Sequence, residues 1–131
     1  MGNPLSAQEL LDTARRDIAR YSPADALAAL ADGAIIVDLR CEADRLAEGA
    51  IPNALPIALS VLPWRADPTS PSRDDRIADR DARLILVCND GYSSSLAASD
   101  LVRMGFTDAG DLEGGFRAWT AAGLPVETQG D

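Results

Sequence analysis

The hydrophobic pattern of the chain alternates between short apolar runs and longer amphipathic stretches, which predicts strands alternating with helices. Leu84–Val87 is a run of four aliphatic residues, as expected of a parallel strand that is buried on both faces. In the segment that follows, apolar residues recur at the spacing of one helix face, at Leu96, Ala97, Leu101 and Met104. This alternation favours an α/β fold, in which a mostly parallel sheet is covered by helices on both faces.

The same patterns predict the other elements. Ser6–Arg20 is predicted as an amphipathic helix that opens with a capping box between Ser6 and Glu9. Further helices are predicted over Ser22–Leu30, which stops at Asp32-Gly33, over Cys41–Glu48, and over the segment that carries Phe116, Trp119 and Ala122. Further strands are predicted over Ala34–Leu39, Ala54–Ala58 and Ala109–Leu112. Leu62–Asp81 is rich in proline and charge, and we expect an irregular surface excursion there.

Composition narrows the classes of function. The chain has 131 residues, the size of one domain. Its 21 acidic and 12 basic residues give a formal net charge of −9. Nucleic acids and anionic membrane surfaces bind basic faces, so neither is an expected partner. No apolar run approaches the length of a membrane span, and the start of the chain lacks a signal-peptide pattern, so we expect a cytoplasmic protein.

Histidine and cysteine content limits the chemistry that the chain can perform. The sequence contains no histidine, which excludes Ser-His-Asp and Cys-His catalysis. Its two cysteines, Cys41 and Cys88, lack CxxC partners, so neither a disulfide scaffold nor a structural zinc site is expected. No cofactor is predicted. A nucleophile in this chain would have to be activated by backbone groups and dipoles.

Cys88 stands where such activation is expected. It follows the strand Leu84–Val87 and precedes a helix, so loop amides and the positive end of the helix dipole should favour its thiolate. Ligands of open α/β sheets also bind at the carboxyl ends of the strands. The alternative is a buried structural cysteine, since free cysteine packs well in cores. We favour the reactive thiol.

The residues after Cys88 carry further expectations. The chain must curl so that successive amides face the sulfur, which predicts a positive φ angle at Gly91. One residue of Ser93–Ser95 is expected to cap the helix, and another could donate a hydrogen bond to a bound sulfur. Gly114 and Gly115 are expected to form a tight turn between a strand and a helix.

Three more side chains have open interpretations. Arg40 either forms a structural ion pair with Asp38 or supplies the Cys88 loop with a cation. Cys41 has no local context that would activate a thiol, so we expect it to be inert rather than a resolving cysteine. Trp64 lies in a polar tract, where it could cover a pocket or bind a partner.

Several motifs in register resemble the rhodanese (thiosulfate sulfurtransferase) domain. The match covers about residues 20–127 and is carried by Ser22–Asp25, Ile36–Arg40, Gly49–Ala54, the Cys88 loop, Asp111–Trp119 and Gly123–Val126. The tract Val61–Pro68 and the loop ending Gly91-Tyr92-Ser93-Ser94 are similar to a short, single-domain group of actinobacterial rhodaneses. The resemblance implies a rhodanese-like three-layer α/β domain over residues 21–131, preceded by an N-terminal helical extension over residues 1–20.

The resemblance also implies a reaction. Cys88 would attack a sulfane sulfur, carry it as a persulfide and hand it to a nucleophilic acceptor. The substrate would be bound by the loop and one strand-end arginine, through Asn89, Asp90, Gly91, Tyr92, Ser93, Ser94 and Arg40. The expected partners are a small sulfur donor, either thiosulfate or a persulfide, and a thiol or cyanide-like acceptor, with a protein as a further candidate acceptor.

The chain departs from the family at the loop. Family members often carry a cation there, whereas Asp90 places a negative charge beside the nucleophile. This charge should repel thiosulfate, so we expect weak activity with that donor. The acidic loop also leaves open a non-catalytic rhodanese-like module that binds an anion or a partner. The arginine of a Cys-x5-Arg phosphate loop is missing, which argues against a phosphatase or an arsenate reductase.

Overall fold

Helices and strands alternate along the computed structural model, which describes residues 2–128. Within these residues the strands are β1 (Ala19–Tyr21), β2 (Ile35–Asp38), β3 (Leu55–Pro56), β4 (Leu84–Val87) and β5 (Ala109–Leu112). The α-helices are α1 (Ala7–Arg15), α2 (Pro23–Ala31), α3 (Glu42–Glu48), α4 (Leu62–Ala66), α5 (Ser93–Arg103) and α6 (Gly115–Ala121). A 3₁₀ turn over Leu59–Val61 leads directly into α4.

The strands form one parallel sheet in the order β1-β5-β4-β2-β3. β4 lies at its centre and is fully buried, which explains its unbroken aliphatic sequence. Because the strands run in the same direction, their carboxyl ends meet at one edge of the sheet, where α/β proteins bind ligands. Cys88 follows β4 at this edge. The predicted parallel α/β fold is confirmed.

A core lies on each face of the sheet. Leu84 and Leu86 point to one face and pack against residues such as Leu101 of α5. Ile85 and Val87 point to the opposite face and pack with the aromatic residues of α6. Those aromatic residues, Phe116 and Trp119, are buried and anchor this core. Because β4 packs against helices on both faces, the loop that follows it is held between two helical layers.

The first helix is shorter than the periodicity of the sequence predicts. The capping box at Ser6 is confirmed, but α1 ends at Arg15, and Ala19–Tyr21 forms the edge strand β1. The backbone of β1 pairs with β5, with Arg20 in register with Asp111. Assigning the helix as far as Arg20 was therefore wrong. Strand pairing and an ion pair between these two side chains outweigh the local helical preference.

The tract Leu62–Asp81 is also more ordered than predicted. Its first five residues form α4, and Leu62, Ala66 and Ile77 are buried in the core beside α5. Leu62 and Ala66 are one helical turn apart, but this single pair lies among prolines and charged residues, and Ile77 stands far from both. The polar residues therefore dominated the prediction. The edge strand β3 is two residues long, shorter than the predicted Ala54–Ala58.

The described helices do not include one that could cross a membrane, since none combines the length and the apolar character that a span needs.

Candidate active site

The sulfur of Cys88 lies at the centre of a tightly wound loop. The side chain is only 8% exposed, and the loop leads within a few residues to Ser93, the first residue of α5. The amide of Gly91 donates a hydrogen bond to Sγ at 3.1 Å. The hydroxyl of Ser94 lies 3.3 Å from Sγ on the inner side. Backbone and hydroxyl groups thus contact a sulfur that has no histidine to assist it.

These contacts change the acidity of the thiol. Burial raises the pKa of Cys88, but hydrogen bonds from the Ser94 and Ser93 side chains and from the amides of Ser94 and Gly91 lower it. The hydrogen bonds prevail, so the pKa lies below its ordinary value. This supports the interpretation of Cys88 as a reactive thiol, because the thiolate is the nucleophilic form.

Gly91 has the positive φ that the sequence predicts, +85°. A Cβ at this position would lie 2.8 Å from the amide nitrogen of Gly114. Gly115 approaches the loop just as closely, because a Cβ there would lie 2.5 Å from the carbonyl oxygen of Cys88. The amide of Phe116 donates to that same oxygen at 2.8 Å. The paired glycines therefore serve the tight turn, as predicted, and also let the start of α6 hold the Cys88 loop.

A buried polar network lies beneath the loop. Asp111 of β5 is completely buried, and the hydroxyls of Ser94 and Ser95 donate to its Oδ2 at 2.8 and 2.7 Å. Arg20 of β1 donates to Oδ1 at 2.9 Å. The carboxylate therefore fixes the serine that contacts the Cys88 sulfur.

None of the three serines caps α5 with its side chain, contrary to the prediction. The N-cap residue is Tyr92, which makes no side-chain cap. Two of the hydroxyls, those of Ser94 and Ser95, are bound to Asp111 instead. Sequence reasoning missed Asp111 and Arg20. The signals for Asp111 were its carboxylate inside a strand otherwise predicted to be apolar and its place at the start of the Asp111–Trp119 motif.

A cavity of about 360 Å³ opens above the sulfur. It is lined by Cys88, by most of the predicted loop residues (Asn89, Asp90, Tyr92 and Ser93), by Leu39 and Arg40, and by Cys41 and Asp44 at the start of α3. The other two predicted residues, Gly91 and Ser94, do not line it, because they contact the sulfur from the buried side. Trp64 is exposed and lies outside this lining, so it does not cover the cavity.

Arg40 forms the structural ion pair that was one of its two interpretations. Its Nη2 lies 2.8 Å from Asp38 Oδ2 and donates to the carbonyl of Gly49 at 2.7 Å, and the guanidinium stacks on Phe116 at 3.8 Å. Its Nη1 is buried without a hydrogen-bond partner in the described chain. Arg40 thus contributes to the cavity wall, while Asp38 balances its charge.

Two carboxylates face the cavity. Asp44, which sequence reasoning missed, accepts a hydrogen bond from the Asn89 side chain at 3.0 Å. This bond and a second one from the Cys41 thiol lower the pKa of Asp44, so it is ionised at neutral pH. Asp90 is not the unpaired charge that we expected, because Arg117 of α6 lies 2.8 Å from it.

No three His, Cys, Asp or Glu side chains of residues 2–128 come together in a way that could hold a metal ion.

Comparison with known proteins agrees with this geometry. Residues 22–122 match the family model described as a rhodanese-like domain. The thiosulfate sulfurtransferase GlpE of Pseudomonas entomophila is 38% identical over 109 residues, which cover 83% of this chain and 90% of that protein.

Solved structures similar to this one include the following two. A Rhodopseudomonas palustris protein of unknown function, described as a possible tyrosine phosphatase, has a TM-score of 0.87 and 31% identity, and the match covers 97% of this chain and 99% of that chain. A rhodanese-related protein from Thermoplasma volcanium has a TM-score of 0.64 and 26% identity, over 82% of this chain and 95% of that one.

Proposed function

The chain belongs to the rhodanese-like domain family, and we propose that it is a sulfurtransferase in which Cys88 carries the transferred sulfur. The Cys88 thiolate attacks the sulfane sulfur of a donor, and the donor's S–S bond breaks. The leaving group departs with the electron pair, as sulfite from thiosulfate or as a thiolate from a persulfide. An acceptor thiolate or cyanide then attacks the outer sulfur of the Cys88 persulfide and restores the thiolate.

The observation that carries this proposal is the set of donors around Sγ. The backbone amides of Gly91, at 3.1 Å from Sγ, and of Ser94 donate to the sulfur without gaining or losing a proton. They can therefore stabilise the thiolate before the reaction, and we infer that the loop amides likewise hold the persulfide anion after it. This accounts for sulfur chemistry in a chain without histidine. A compartment that keeps thiols reduced, such as the cytoplasm, suits this chemistry.

Charge at the cavity favours a persulfide over thiosulfate as the donor. Asp44 and Asp90 both line the cavity, and only Asp90 has an arginine within ion-pair distance. Thiosulfate carries two negative charges, whereas a low-molecular-weight persulfide carries fewer at the reacting end. Like charges near a protein surface repel by about 1 kcal/mol, so we expect thiosulfate to load more slowly. The remaining predicted binding residues, Asn89, Tyr92 and Ser93, line the same cavity with Arg40.

The similarity to the Rhodopseudomonas protein, a possible tyrosine phosphatase, raises phosphoryl transfer as an alternative. In a Cys-x5-Arg loop the arginine would stand at position 94, where this chain has Ser94. That side chain is buried and bound to Asp111. The loop therefore offers no guanidinium to a phosphate, which argues against phosphoryl transfer.

Intact-mass measurement tests the proposal. The wild-type protein, Cys88→Ser and Cys41→Ser are incubated separately with thiosulfate and with a low-molecular-weight persulfide. We expect a gain of one sulfur atom in the wild type and in Cys41→Ser, lost on reduction, and no gain in Cys88→Ser. No gain from either donor would instead favour a non-catalytic module that binds an anion or a partner in this acidic cavity.

A further inference from the structure

The segment before the matched family domain contacts the Cys88 loop directly. The family match begins at residue 22, whereas α1 and β1 lie before it. α1 packs against α5, the helix that follows the loop, and β1 pairs with β5. Arg15 and Arg20 extend from these two elements to the underside of the loop.

Both arginines bind the carbonyl oxygen of Gly91. Arg15 Nη2 donates to it at 2.9 Å and Arg20 Nη2 at 3.2 Å, and the Ser95 hydroxyl lies at 3.3 Å. Arg15 also donates from Nε to Ser95 Oγ at 3.1 Å. The two guanidinium groups occupy both lone pairs of this carbonyl oxygen, and they hold the peptide in one orientation.

The orientation of that carbonyl fixes the direction of the next amide of the loop, that of Tyr92. Gly91 is also the residue whose amide donates to the Cys88 sulfur, and its φ of +85° is accessible because it has no side chain. In a trans peptide the C=O and N–H groups point in opposite directions, so a carbonyl held against the arginines turns the amide of Tyr92 away from them. Tyr92 lines the cavity above the sulfur.

The network also concentrates positive charge. Beneath the loop lie two guanidinium groups and one carboxylate, that of Asp111, so one positive charge is left uncompensated. The other charged groups around the loop are mostly paired. Asp38, at the end of β2, pairs with Arg40. Arg117 of α6 pairs with Glu48 of α3 and with Asp90 of the loop, and Asp44 of α3 accepts from Asn89. Of these groups, Arg40, Asp44 and Asp90 line the cavity, and Asp38 balances the charge of Arg40.

We infer that Arg15 and Arg20 are positioning residues of the sulfur-transfer site, so that the segment before residue 22 is part of the active site. This rests on the proposed role of Cys88 as the nucleophile. The arginines hold the Gly91 carbonyl, keep the loop amides turned to the sulfur, and place a cation behind the thiolate. Without these two arginines the loop loses its fixed geometry.

The test is the pH profile of Cys88 alkylation by iodoacetamide in Arg15→Met, with Arg16→Met as the matched control. Arg16 is the next residue and is exposed, and its side chain extends to solvent rather than to the loop, so its loss removes the same charge from the same end of α1. We expect the profile of Arg15→Met to move to higher pH and its alkylation rate at neutral pH to fall roughly two- to fivefold. Arg16→Met should keep the parental profile.

Two further variants separate charge from geometry. Arg15→Lys keeps the charge but cannot hold Gly91 and Ser95 with one planar fork, so a smaller shift in the same direction is expected. Arg20→Lys should also shift the profile, because one ammonium cannot serve both Asp111 and Gly91 as the guanidinium does. Thermal melts confirm that each variant is folded.

The inference is overturned if folded Arg15→Met alkylates like Arg16→Met. If Arg15→Met does not fold, a parental profile in Arg15→Lys overturns it. Alkylation needs no sulfur donor, so its result does not depend on whether sulfur is transferred. A wild-type protein that takes up no sulfur would refute the proposed function. The alkylation profile would then still decide whether the arginines position the loop.

Discussion

Substitution of Gly91 by alanine tests whether the loop geometry, rather than the cysteine alone, makes the site. The new Cβ would meet three backbone atoms: Gly114 N at 2.8 Å, and Gly115 N and Leu112 O at 3.2 Å. These atoms belong to the turn that holds the Cys88 carbonyl, so they cannot yield without moving the loop. An alanine at a φ of +85° is strained as well.

Gly33→Ala is the matched control for the loss of stability expected in Gly91→Ala. Gly33 has a similar φ of +95°, but a Cβ there meets no atom within 4 Å. Left-handed strain alone should cost about 1–2 kcal/mol in either variant. Overpacking against fixed backbone adds roughly 1–3 kcal/mol at Gly91 only. For a domain of this size that difference corresponds to a melting temperature lower by about 4–12 °C than that of Gly33→Ala.

Thermal melts and the sulfur-gain mass assay are measured on both variants. A shifted Gly91 amide weakens its hydrogen bond to the thiolate, and a charge-assisted bond contributes about 1.5–3 kcal/mol. Sulfur loading by Gly91→Ala should therefore fall by roughly tenfold or more, while Gly33→Ala loads at the parental rate. The reasoning is refuted if Gly91→Ala melts together with Gly33→Ala and still loads sulfur normally.

Three other outcomes are expected. Brief iodoacetamide treatment at neutral pH should label Cys88 before Cys41, because hydrogen bonds lower the pKa of Cys88; peptide maps with Cys41 labelled first would contradict the site assignment. Ser94→Ala removes a hydroxyl that lowers the Cys88 pKa, so its alkylation profile should move to higher pH, and an unmoved profile would exclude that role. Asp90→Lys should raise thiosulfate loading by roughly twofold to fivefold, since the carboxylate is exposed and already paired. The gain should shrink with added salt, and kinetics insensitive to salt would mean that Asp90 does not face the donor.

The central part of the fold could be predicted because local sequence determines it. β4 and β5 have the predicted bounds. β4 is an unbroken apolar run between polar segments, which has few alternatives to a buried parallel strand. Cys88 and Gly91 could be placed for the same reason. Each depends on its immediate neighbours, namely a strand end and a turn that requires positive φ.

The network beneath the loop could not be predicted from local pattern. Arg20 and Asp111 are in register only because β1 pairs with β5, across 91 residues of sequence. Periodicity assigned Arg20 to a helix, which would have removed it from the sheet. The error in the helix end and the omission of these residues from the site therefore have one cause, since strand pairing between distant segments leaves no trace in a local pattern.

Net charge is a poor guide to the charge at this site. The chain carries a net −9, which by itself predicts a surface that repels anions. The structure separates two local charges instead. Arg15 and Arg20 outnumber Asp111 beneath the loop, which favours the thiolate, whereas Asp44 and Asp90 face the cavity above it, which disfavours a dianionic donor. The groups that activate the nucleophile and the groups that select the donor therefore lie on opposite sides of the loop. Variants of the arginines beneath it should change the alkylation profile of Cys88 and leave the preference between donors unchanged. Variants of the carboxylates above it should change the donor preference and leave the alkylation profile unchanged.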